Sequence, residues 1–126
     1  MRPVAADALI VNDGKVVLVK RKKEPFEGKW ALPGGFVDSG ESVEDACVRE
    51  AKEETGLEVR IKEMVGVFSK PGRDPRGTVG VAFLCKVISG EIRGGDDAAE
   101  ARWFSLGQLP EVAFDHKEVI SAVKRK

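Results

Sequence analysis

Glu50, Glu53 and Glu54 crowd the end of a segment that otherwise reads as a helix. At a 3.6-residue period they fall within a wedge roughly 100° wide. Glu50 stands at i,i+3 to Glu53 and i,i+4 to Glu54, spacings at which like charges repel. They also occupy the last turn, where the helix dipole disfavours negative charge. The wedge overlaps an apolar stripe of Val43, Ala46, Cys47 and Ala51, so the carboxylates are expected to point toward the protein body. Local rules broken together tend to mark a working site. A hard divalent cation, Mg²⁺ or Mn²⁺, would relieve the repulsion, because such ions take carboxylate oxygens. The competing reading is a solvated acidic face balanced by Arg49 and Lys52. Periodicity leaves both open.

The element that must carry these residues is well delimited. Ser42 with Asp45 three residues on is a capping-box-like start. Glu41, Glu44 and Asp45 put negative charge where the dipole favours it. Gly56 suits the stop, where a left-handed residue is usual. The helix is expected over about Ser42 to Thr55. Ahead of it, Pro33-Gly34-Gly35 reads as a turn, and glycine there permits close approach of backbone to a ligand.

Read from Gly35, the stretch runs Gly35, Glu41, Arg49-Glu50, Ala51, Glu53-Glu54, Gly56, Leu57. Residues 35–57 resemble the Nudix box at every defined position, with Ala51 a small version of the usual aliphatic residue. The resemblance implies a loop–helix–loop that binds divalent metal, Mg²⁺ or Mn²⁺, and hydrolyses a nucleoside diphosphate linked to another group. It also implies an α/β fold, an α/β/α sandwich around a mixed sheet. Carried over by position, Glu50 and Glu54 are direct metal ligands. Glu53 is a third or water-mediated one, and the Gly34 carbonyl completes the protein share. Arg49 orients a box glutamate. Glu41 is structural, or holds a further metal. Family members differ in the general base: some use a box glutamate, Glu53 or Glu54 here, and others an acid from a later loop. Gly94 to Glu100 is that loop in this chain, with Asp97 and Glu100 as candidates.

The chain has 126 residues, which points to one domain, residues 1–126, with a core of its own. It carries 21 basic and 21 acidic side chains, a formal net charge of zero. That balance argues against a general nucleic-acid or membrane-surface binder. Cys47 and Cys85 lack metal-site spacing and sit among apolar residues, so they read as small core residues. The start of the chain lacks a signal-peptide pattern, and no apolar run approaches membrane-spanning length, so a cytoplasmic location is expected.

In chain order, Val4 to Val11 reads as a buried strand, Asn12-Asp13-Gly14 as a hairpin turn, and Lys15 to Lys20 as the return strand. Arg21 to Lys29 is a polar loop in which Phe26 is read as packing. Trp30 to Leu32 is a short strand. After the helix, Leu57 to Ser69 is a long strand with an irregularity near Met64-Val65. Thr78 to Val87 is a central strand, Glu91 to Arg93 a short edge strand, and Ala101 to Ser105 the last strand. Asp115 to Val123 closes the chain as a helix, with lone His116 as a helix-start residue.

Between two strands lies Lys70-Pro71-Gly72-Arg73-Asp74-Pro75-Arg76-Gly77. A proline at this distance past the box, with its RDPRG run, resembles the ADP-ribose pyrophosphatase branch of the family. The late Ala113 to His116 segment is similar to short microbial members of that branch. The resemblance implies hydrolysis of ADP-ribose to AMP and ribose 5-phosphate, with Pro71, Arg73 and Arg76 at the substrate. A guanidinium can clamp phosphate or the terminal ribose with paired hydrogen bonds; salt bridges to Asp74 or the sheet edge are the alternative. Other Nudix substrates (oxidised nucleoside triphosphates, dinucleoside polyphosphates, NADH) and a non-catalytic nucleotide sensor compete with this reading. A homodimer fits the resemblance.

Overall fold

The computed structural model describes residues 1–93 and 98–124. The elements are β1 (Val4–Asn12), β2 (Lys15–Arg21), β3 (Trp30–Ala31), β4 (Gly34–Phe36), α1 (Val43–Thr55), β5 (Glu58–Phe68), β6 (Val79–Ser89), β7 (Ala98–Ser105) and α2 (His116–Lys124).

β1 organises the sheet. It pairs in parallel with β6 from Val4 to Ile10, and antiparallel with β4 at Ala5 to Asp7. At Val11 and Asn12 it passes its free edge to β2. The order is β3-β2-β1-β6-β5, with β4 on β1 and β7 on β2. The β1–β2 hairpin turns at Asp13 and Gly14, both with positive φ, the geometry that matches strand twist.

Side chains alternate across a strand, and β1 uses both faces. Ala6, Ala8 and Ile10 join Val17, Val81, Phe83 and Cys85 beneath α1, which contributes Ala46, Cys47 and Ala51. Leu9 joins Val16, Leu18 and Ala82 beneath α2, which contributes Val119 and Ile120. Two apolar layers on one mixed sheet give the α/β/α sandwich. Asp7 shares the parity of Leu9 and so faces the α2 side. Both cysteines are free and buried, their Sγ atoms 3.7 Å apart.

α1 begins and ends as its sequence dictates. The Ser42 hydroxyl accepts the Asp45 N–H at 3.0 Å, and the Asp45 carboxylate accepts the Ser42 N–H at 3.4 Å. Gly56 caps the other end at φ 82°.

The structure departs from the sequence reading in three places. Pro33-Gly34-Gly35 is not a free turn, since Gly34 and Gly35 lie in β4 against β1. Glu91 to Arg93 forms no strand; the Arg93 N–H donates to Thr55 O at 2.6 Å, tying this segment to the end of α1. The last strand starts at Ala98: Glu100 pairs with Lys20 in regular register and Ala98 with Arg21 past a bulge, so Glu100 is in a strand rather than a loop. Among the described residues, no helix is long and apolar enough to cross a membrane.

Candidate active site

A cavity of about 400 Å³ opens where β4, the α1 glutamates, the 73–78 segment and the start of α2 meet. Gly34, Arg49, Glu50, Glu54, Arg73 and Arg76, all singled out from the sequence, line it.

β4 makes the approach of the glutamates possible. A Cβ on Gly35 would lie 2.3 Å from Glu50 Oε2. A Cβ on Gly34 would lie 2.4 Å from Ala6 O and 2.3 Å from Asp7 Oδ1. The two glycines therefore let a strand pass between β1 and the carboxylates of α1. The Gly34 N–H donates to Glu54 Oε1 at 2.8 Å, which fixes the nearly buried Glu54 on the cavity floor.

Arg49 ties the acids together. Its Nε and Nη2 donate to the two oxygens of Glu41, each at 2.8 Å, a bidentate pair. Its Nη1 donates to Glu50 Oε1 at 2.6 Å and to Glu53 Oε2 at 3.2 Å. The Arg49 hydrogen bonds, and then the Asp38 N–H, hold the Glu41 carboxyl down to about 2. Glu50 goes the other way. Burial pushes it up to about 7 against the pull of Arg49, and repulsion from Glu53 adds to the rise. Glu53 differs from its neighbours: its side chain is 50% exposed and lies outside the cavity lining.

Among the described residues, the carboxylates are not drawn into a metal-holding group of three, and the Arg49 guanidinium bridges Glu41, Glu50 and Glu53. The donor chemistry nonetheless fits a hard divalent cation. The available atoms are carboxylate and backbone oxygens, Gly35 leaves room against Glu50, and a buried carboxylate raised to about 7 is one a cation would return to its ionised form.

Opposite the glutamates runs a polar network. Arg73 donates Nε and Nη2 to the two oxygens of Asp115 at 2.9 and 2.7 Å, and Nη1 to Thr78 Oγ1 at 2.7 Å. Its side chain is only 4% exposed, and Gly80 clears the space it fills. Arg76 pairs with both oxygens of Asp74 at 3.1 and 2.9 Å. Arg73 is salt-bridged, though to Asp115 rather than to Asp74 or the sheet edge, and it still lines the cavity. Arg76 also bridges to Asp74 but keeps its guanidinium against the rings of Phe36 and Phe114.

Asp7 and His116 complete the floor, and neither was read from the sequence as part of the site. Burial pushes Asp7 up to about 7 and His116 down to about 3. His116 does start α2, and its Nδ1 accepts the Leu32 N–H at 2.9 Å. The signal for Asp7 was an acid in an otherwise apolar strand. For Phe36 and Phe114 no local signal existed, since a lone aromatic reads as packing.

Two candidates fall elsewhere, and a third lies outside the described residues. Pro71 is exposed and outside the cavity lining. Glu100 lies on β7, where Arg102 Nε donates to its Oε2 at 2.7 Å and Lys20 stands at 4.0 Å. Asp97 lies outside the described residues.

The NUDIX domain family model matches residues 1–123. An ADP-ribose pyrophosphatase of Methanocaldococcus jannaschii is 53% identical over 97% of this chain and 73% of its own length. Among solved structures, a bifunctional NMN adenylyltransferase/ADP ribose pyrophosphatase from Francisella tularensis, complexed with AMP and a Mn ion, superposes with a TM-score of 0.90 at 30% identity. That match covers 99% of this chain and 42% of the larger protein. The NUDIX domain of Shewanella oneidensis NrtR, complexed with ADP ribose, superposes with a TM-score of 0.85 at 29% identity, over 99% of this chain and 88% of that one.

Proposed function

This chain belongs to the Nudix family and is a pyrophosphohydrolase, and we propose that its substrate is ADP-ribose, split to AMP and ribose 5-phosphate. The observation that carries the site assignment is the convergence of Glu50 and Glu54 on the Gly34–Gly35 strand at the cavity floor. The 53% identity to an ADP-ribose pyrophosphatase carries the substrate.

Glu50, Glu53, Glu54 and the Gly34 carbonyl would hold a divalent cation, Mg²⁺ or Mn²⁺. Such an ion neutralises pyrophosphate charge and lowers the pKa of water. Arg49 sets the Glu50 carboxylate and restrains Glu53, acting through them rather than on the substrate. Gly34 holds Glu54 by its N–H and leaves its own carbonyl for the cation. Glu53 and Glu54 carry the reading of the general base, which accepts the proton of the attacking water. Glu100 faces Arg102 and Lys20 instead, which weakens its claim to that role. Cationic side chains at the cavity, among them Arg21 and Lys23, offset the charge of the diphosphate. The same reading takes residues 1–126 as one Nudix domain, and takes in a homodimer and a cytoplasmic location.

A substrate panel with Mg²⁺ tests this. ADP-ribose is expected to give the highest kcat/KM by tenfold or more, about 1.4 kcal/mol of transition-state preference, over NADH, a diadenosine polyphosphate and an oxidised dGTP. A triphosphate as best substrate with ADP-ribose untouched would overturn the substrate and leave the hydrolase.

A further inference from the structure

Phe36 is an exposed aromatic at the edge of a charged cavity. It follows the Gly34–Gly35 pair on β4, lines the cavity, and is 42% exposed. The Arg76 guanidinium lies 4.9 Å from its ring centroid. Arg76 is not a free cation there. Asp74, buried and held by the Thr78 hydroxyl, grips it at two nitrogens and fixes its plane. Behind Arg76 stands Phe114, 5.8 Å from the guanidinium. Phe114 has φ +56° and packs edge-on to Phe26, itself at φ +62°, with ring centroids 4.7 Å apart. A bulky residue with positive φ is strained, and two of them meeting across separate loops mark a place where the fold holds aromatic rings in position.

The cavity thus has two chemically distinct walls. One is acidic, built from Glu50 and Glu54. The other is formed by an exposed ring with a guanidinium held over it. A polyanion alone needs the cations but no exposed aromatic ring. A planar heterocycle needs that surface, because rings and guanidinium planes stack on a base regardless of its hydrogen-bonding edge.

Building on the pyrophosphohydrolase reading, we infer that Phe36 and Arg76 form the nucleobase subsite, stacking the base of the nucleotide while the diphosphate lies toward the glutamates. This moves Arg76 from the phosphate or terminal ribose to the base end of the substrate. Phe114 is a positioning residue that backs Arg76.

The test reads binding rather than turnover, so it stands apart from the identity of the substrate. Calorimetry on the full chain with Mg²⁺ would measure AMP, ribose 5-phosphate and inorganic pyrophosphate against wild type, Phe36→Leu and Arg76→Lys. Phe36→Leu keeps an apolar side chain at an exposed position and leaves the Phe36 carbonyl to Arg49. It is expected to weaken AMP by roughly five- to a hundred-fold, the usual worth of a base–aromatic stack, with the other two ligands unchanged. Arg76→Lys keeps the charge and loses the plane, so it should weaken AMP more than pyrophosphate. AMP binding unchanged in Phe36→Leu, equal loss for all three ligands, or no AMP binding to wild type would each overturn the subsite. Failure of ADP-ribose in the substrate panel with Phe36-dependent AMP binding would sink only the substrate.

Discussion

His116 Nε2 stands 3.8 Å from Asp7 Oδ2, and the two side chains are 4% and 10% exposed. The geometry is that of an ion pair, yet burial drives both toward neutrality: Asp7 up to about 7, His116 down to about 3. Arg73 pulls Asp7 back and Asp115 pushes it further; Asp115 raises His116 and Arg73 lowers it.

The two shifts have opposite consequences for stability. Asp7 binds its proton more tightly when folded, so its contribution is full below about pH 4 and is lost as pH rises through about 7. His116 binds its proton less tightly when folded, so its contribution is full above about 6.5 and is lost as pH falls toward about 3. Each slope is at most about 1.4 kcal/mol per pH unit, and between about pH 4 and 6.5 they oppose one another. Asp7→Asn should therefore gain stability with rising pH across this window relative to wild type. His116→Asn, which can still accept the Leu32 N–H, should lose it. Urea denaturation at several pH values checks this; parallel profiles for the two variants would show that the shifts are wrong.

The adjacent glycines of β4 should behave differently. A methyl on Gly34 meets the Ala6 carbonyl and the Asp7 backbone, which cannot step aside. Gly34→Ala is expected to cost about 1–3 kcal/mol of stability, as overpacking does. The atoms nearest a methyl on Gly35 all belong to the Glu50 carboxylate, the end of a flexible side chain. Gly35→Ala should keep most of its stability and lose at least tenfold in kcat by displacing Glu50. Thermal melts beside single-turnover rates separate the two; equal melting losses would contradict the contrast.

The Nudix stretch was legible in the sequence because its function is written into short-range rules. Glu50, Glu53 and Glu54 break helix rules within one turn, and Ser42 and Gly56 bracket the helix by local capping. The central strands were legible as apolar runs bounded by turn signals. The opposing wall was not. Asp7, Asp115 and His116 come together only when β1 and α2 pack on one face of the sheet. Nothing near Arg73 in sequence announces that its partner is Asp115. Arg73 and Arg76 look equivalent as letters in RDPRG, and they differ in burial and in the partner each one finds. Glu100 was misplaced because the β2–β7 ladder runs on in regular register from Ala101 to Glu100, opposite Lys20, and a charged residue following an acidic stretch gives no local sign of that pairing.

That difference in burial makes the two arginines separable by experiment. Removing one partner of a buried pair leaves the other charge uncompensated, typically at about 3–5 kcal/mol. Arg73→Met strands Asp115 and should destabilise strongly, with activity falling in step with the folded fraction. Arg76→Ala removes a partly exposed guanidinium and leaves the buried Asp74 still held by the Thr78 hydroxyl and the residue 76 N–H, so it should cost less stability than Arg73→Met. Its effect should appear in KM. A variant series in which Arg73→Met folds normally and loses activity would show Arg73 acting at the substrate rather than as a buried scaffold pair.

The glutamates can be tested without disturbing the scaffold. Glu54→Gln is nearly isosteric and keeps a carbonyl oxygen for the Gly34 N–H, so the floor should keep its shape. It removes the negative charge that a cation needs. kcat with Mg²⁺ should fall at least a hundredfold, roughly 2.7 kcal/mol or more of barrier, while the melting temperature of the metal-free protein stays near that of wild type. Added Mn²⁺ should stabilise wild type by mass action and Glu54→Gln much less. Glu100→Gln serves as the contrast: on β7, facing Arg102, it should leave kcat within about twofold. A large loss in Glu100→Gln with full activity in Glu54→Gln would reverse the assignment, moving the chemistry from the α1 glutamates to the β7 side.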